Sequence, residues 1–70
     1  MTSDDITLEA AVAALHDAEQ ALRAARRNLT AAIAAAYRSG EPVARIAERT
    51  GSDVIAVRNT LAAAGASRHA

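Results

Sequence analysis

The chain has 70 residues, enough for one domain and close to the lower limit for a self-sufficient core. Its hydrophobic content of 51% is mostly alanine, 21 residues against 13 Ile, Leu or Val, which favours helix but offers little area to bury. The net charge is zero and there is no Cys, which excludes disulfides, Cys-ligated zinc and thiol catalysis.

Met1-Thr2-Ser3-Asp4-Asp5 is acidic where a secretory signal is basic, and the longest charge-free run, 28–37, is far too short to span a membrane. A soluble, cytoplasmic, all-α protein is therefore expected, with no membrane partner. From about Thr7 to Ser39 nothing breaks a helix; Asn28 and Thr30 are its weakest formers, and a kink there is left open. Gly40 supplies a C-cap, Pro42 opens a short helix to Thr50, and Gly51 ends it. Ser52 or Asp53 then caps a third helix from Val54 to about Ala64, which Gly65 closes. This divides the chain into a dimerisation helix over 1–28, a trihelical unit over 29–65 and a flexible tail over 66–70. No stretch alternates as a β-strand.

The first helix carries a seven-residue repeat. Leu8, Leu15, Leu22 and Leu29 recur at that spacing, and Ala11, Ala18, Ala25 and Ala32 fall three residues after each. Leu at one seam position and Ala at the other let two helices approach closely, as in a short coiled coil. A straight rod carries Leu8 and Leu15 beyond the reach of the chain's own short helices, so a homodimer through residues 6–29 is expected. The direction of pairing stays open.

Residues 43–62 have the spacing of a helix-turn-helix. Ile46 and the small Ala47 face a crossing helix, Gly51 follows four residues on where the turn wants a left-handed backbone, and Val57 and Leu61 fall one turn apart. Ile33 and Tyr37 complete the core. Thr50 and Ser52 stand where an aliphatic residue usually seals the turn, and there they either loosen it or bring hydroxyls to phosphates. Reading outward, the second helix of the motif presents Asp53, Val54, Ile55, Arg58 and Asn59, and its N-terminal end is the part that enters a major groove.

Those residue types suit DNA. Arg58 can pair with guanine O6 and N7, Asn59 with adenine N6 and N7, and Val54 or Ile55 can meet a thymine methyl. Asp53 can accept from cytosine N4, although capping its own helix is the simpler use. Arg45 and Arg49, four apart, are placed for phosphates, with Arg26, Arg27, Arg38 and the hydroxyls of Ser52 and Thr60 as further contacts. Charge agrees: residues 1–22 hold Asp4, Asp5, Glu9, Asp17 and Glu19 with no Arg, whereas 23–70 hold all eight Arg against Glu41, Glu48 and Asp53. A basic C-terminal two-thirds points to a polyanion.

The stretches 31–40, 42–51 and 57–61 resemble the helix-turn-helix of small actinobacterial DNA-binding proteins. With the long Ala-rich N-terminal helix and the short total length, the whole chain resembles the nucleoid-associated glue and bend nucleoid family. That resemblance implies a homodimer on double-stranded DNA that binds short, frequent, near-palindromic sites, bends the duplex and coats the chromosome. An operator-specific repressor and a helical protein-interaction or antitoxin-like module remain as alternatives. An enzyme is not expected, nor a cofactor, metal or small-molecule ligand. His16 with Glu19 or Gln20 makes at most half a metal site, and no phosphate loop or nucleophile–base pair is visible.

Overall fold

The computed structural model describes residues 3–67, with side chains from Ile6 onward. Those residues form three helices, α1 (Ser3–Arg38), α2 (Val43–Thr50) and α3 (Val54–Ala63), and no strand. Helix α1 runs unbroken through Asn28 and Thr30. Each of these costs only a few tenths of a kcal/mol against Ala, too little to interrupt an Ala-rich run with uninterrupted backbone hydrogen bonds. It begins four residues earlier than Thr7, taking in the acidic residues that the positive end of the helix dipole favours.

Two tight turns set the other helices in place. The Ser39 hydroxyl donates to the Ala36 carbonyl at 2.8 Å, and the Gly40 and Glu41 amides donate to Tyr37 and Ala36 at 3.0 and 3.1 Å. Pro42 then stands at the N-cap of α2 rather than inside it, with extended backbone. At the second turn Gly51 takes φ 70°, and the Ser52 amide donates to Ala47 at 3.0 Å. Thr50 does not loosen this turn: its hydroxyl donates to the Ile46 and Ala47 carbonyls at 2.9 and 3.2 Å. The polar group therefore closes the helix end that an aliphatic residue would have closed by packing.

Each helix packs on the other two, around Ile33, Ile46, Ala47, Val57 and Leu61. Ala36, Tyr37, Val43, Val54 and Ala66 seal the edges of that cluster. Ala66 does not begin a loose tail. Instead the Gly65 turn brings it back, its amide donates to Leu61 at 2.9 Å, and its methyl packs on the core. The rest of that segment, 68–70, lies outside the described residues.

The other half of α1 leaves this unit altogether. The described chain measures 64 × 19 × 15 Å with a radius of gyration of 18.3 Å, against about 11 Å for a compact chain of this length. Leu8, Leu15, Leu22 and Leu29 are between 50% and 66% exposed, and Ile6 and Val12 are exposed beside them. No helix of the described residues is long and apolar enough to cross a membrane.

The core is small enough that one deletion should unseat it. Ile46→Ala is expected to cost about 2–5 kcal/mol, read by urea unfolding through the fluorescence of Tyr37, the only aromatic residue of the chain. Nothing lies within 4 Å of a Cβ added at Gly51, so Gly51→Ala tests backbone strain alone. It should cost about 1–2 kcal/mol, and a neutral result would mean that the turn relaxes.

Candidate nucleic-acid interface

Helix α3 is set by its first turn. The Asp53 carboxylate accepts from the Ala56 amide at 2.7 Å, which occupies it as a cap. With 3.6 residues per turn, Val57 and Leu61 face the core, and Ile55, Arg58 and Asn59 stand exposed. Ile55 is 70% exposed, an unusual place for a large aliphatic side chain.

Two of the expected contact residues are placed otherwise. Val54 is half-buried and packs on the core, because α1 and α2 both lean on the inner side of α3 and widen its buried arc. Thr60 uses its single hydroxyl proton on the Ala56 carbonyl at 3.0 Å, and phosphate oxygens need a donor. It lines a cleft against α1 with Arg26, Thr30, Ser52 and Ala56. Ser52 is exposed at the mouth of the α2–α3 turn.

The arginines fall into two groups. Arg26, Arg27 and Arg38 line one groove along α1, which reaches Ala64 at the far end of α3. Arg45 and Arg49 lie on α2, and both are tied to Glu41. Arg49 Nη1 donates to both Glu41 oxygens at 2.7 Å, while Arg45 Nε lies 3.7 Å from Oε1. The Glu41 side chain is only 15% exposed, whereas Arg45 and Arg49 are 70% and 64% exposed. One shielded carboxylate thus hydrogen-bonds Arg49 and lies within ion-pair distance of Arg45, with most of the guanidinium N–H donors still facing solvent. Pairs with partners this exposed add at most about 1 kcal/mol to stability. Glu41 is a partner of these arginines that the sequence reading omits. Its signal is the four-residue spacing of 41, 45 and 49, with Glu41 just ahead of the Pro42 cap rather than within α2.

The expected seam residues Leu8, Ala11, Leu15, Ala18, Leu22 and Ala25 are exposed along the projecting part of α1, and Leu29, also exposed, lies beside the trihelical unit in a cleft with Ile33, Ile46 and Thr50. Among the described residues no group of three or more His, Asp or Glu side chains is placed to hold a metal ion. No protein-family model, curated protein or solved structure matches the chain.

Asp53→Ala removes the cap without touching the outer face of α3, and it should cost about 0.5–2 kcal/mol of stability. Amide exchange over 54–57 should rise with it. Unchanged protection there would show that the first turn of α3 is held by packing alone.

Proposed function

We propose that the chain is a dimeric DNA-binding protein of architectural type. In this reading α3 enters the major groove and the arginines of α1 and α2 hold the backbone on either side. The observation that carries it is the exposed face of α3: Arg58 and Asn59 stand exposed in its first two turns after a tight glycine turn, and α2, which packs on α3, carries the exposed Arg45 and Arg49. Arg58 and Asn59 are the side chains that read guanine and adenine in the major groove, and Ile55 offers an apolar contact to a thymine methyl. Val54 packs on the core of the unit, and the Thr60 hydroxyl is engaged by the Ala56 carbonyl.

Three reading side chains per subunit support only a short core sequence and modest discrimination. That favours many genomic sites, nucleoid association and a structural role over a few tightly held operators. A two-fold dimer reads inverted half-sites. Bending follows when the extra phosphate contacts at the flanks outweigh a deformation cost of about 1–6 kcal/mol. The resemblance to the glue and bend nucleoid family points the same way. A protein-contact module is the competing reading, and exposed Ile55 is the observation that favours it.

Selection from random duplexes at two salt concentrations, followed by sequencing, separates them. A short core with inverted symmetry and steep salt dependence is the expected result. Arg58→Ala should cost about 1–3 kcal/mol on the preferred sequence and relax one position of it. Arg45→Ala should weaken all sequences alike and lower the salt slope by about one. Failure to retain DNA at low salt would leave the protein-contact module standing.

A further inference from the structure

We infer that two copies of α1 pair antiparallel, with Leu8, Leu15 and Leu22 of one subunit seated on Ala25, Ala18 and Ala11 of the partner subunit. This rests on the dimer proposed above and adds its direction and register.

The first ground is size. In a parallel pair each seam position meets itself, so layers of Leu on Leu would alternate with layers of Ala on Ala. The Leu layers would set the separation and leave voids at every Ala layer, forfeiting contacts there. Antiparallel pairing puts one seam position opposite the other. Every layer is then one Leu on one Ala, and the two helices lie at one close, even distance.

The second ground is charge. The stretch 1–22 carries Asp4, Asp5, Glu9, Asp17 and Glu19, and Arg23, Arg26 and Arg27 follow it on the same helix. Antiparallel pairing lays the acidic end of one helix along the three arginines of the other, whereas parallel pairing stacks like on like. The helix dipoles also oppose favourably. Exposed charges add little strength, but they select orientation.

Register follows from the same charges. In the stated register residues 4, 5 and 9 lie opposite 29, 28 and 24 of the partner helix, alongside Arg23, Arg26 and Arg27. Sliding the pair one heptad toward the trihelical units sets Leu8 on the partner's exposed Ala32, but it carries those three acidic residues to 36, 35 and 31, past the arginines. Sliding it the other way sets Leu22 opposite Asp4 and leaves Leu29 beyond the end of the partner helix.

The two reading units then sit at opposite ends of the rod. From the axis between Leu15 and Ala18 to Ile33 is roughly 25 Å of helix, so the two cores lie about 50 Å apart. That exceeds the separation of about 34–36 Å between major grooves one turn apart, so the half-sites of one dimer are spaced by more than a turn.

The native chain has no Cys, so single cysteines report pairing cleanly. Leu8→Cys and Ala25→Cys variants of the full chain are mixed, exchanged and oxidised in a glutathione buffer, and the cross-linked dimers are weighed. The mixed 8–25 species should far exceed random pairing, because only that pair brings the two positions within disulfide reach. Self-linked dimers of either variant, or random proportions, would overturn the orientation. Ala18→Leu supplies an independent sign: it should loosen the dimer about tenfold or more by meeting the partner's Leu15, whereas in a parallel pair it would fill the Ala layer and tighten it. Sedimentation of the native chain as a monomer would instead remove the dimer itself, and the orientation with it.

Discussion

The arrangement of this molecule follows from a mismatch in length. Helix α1 has 36 residues, and only its last third meets α2 and α3. Those two short helices bury four aliphatic side chains, Ile33, Ile46, Val57 and Leu61. Six other large aliphatics stand along α1 with nothing in the described chain to cover them. Apolar surface on that scale, with four Leu aligned on one face at every seventh residue, is unfavourable in water. The proposed dimer would cover that surface, and the spacing of the two trihelical units in it would follow from the length of α1.

A core this small also explains how the candidate site is held. With little burial to rely on, the ends of the helices carry much of the specification. Gly51 supplies the left-handed residue of the turn, Thr50 and Ser52 close the end of α2, and Asp53 caps α3. These are local hydrogen bonds, each modest in strength, yet together they fix the angle at which Arg58 and Asn59 are shown to solvent. At the start of α2 a single shielded Glu41 hydrogen-bonds Arg49 and lies within ion-pair distance of Arg45.

Separating the acidic from the basic part of the chain gives the proposed activity its physical form. The trihelical unit and the adjoining turn of α1 carry the positive charge that a duplex attracts, and the projecting arm carries the negative charge that a duplex repels. In the proposed antiparallel pair the same asymmetry aligns the subunits. On that proposal one charge pattern serves both self-association and approach to a polyanion, with backbone contacts outweighing base contacts.

Much of this was legible along the chain. Gly40, Pro42, Gly51, Asp53 and Gly65 marked the ends of the helices, because capping and positive φ act within a turn of the residue that needs them. The spacing of Ile46, Ala47, Val57 and Leu61 marked the core for the same kind of reason, since helical periodicity is local. The seven-residue repeat of Leu and Ala likewise announced an apolar stripe on α1. Other features awaited the tertiary structure. Whether α1 bends at Asn28 depends on a few tenths of a kcal/mol, which sequence rank does not resolve against packing. Val54 turns inward, and Thr60 faces the α1 cleft, because two helices rather than one press on α3. Ala66 folds back because the Gly65 turn returns it to a core assembled from three separate segments. The sequence by itself determined which residues form helices and where these stop; only the crossing of the helices decided which face of each is covered, because that depends on neighbours remote in the chain.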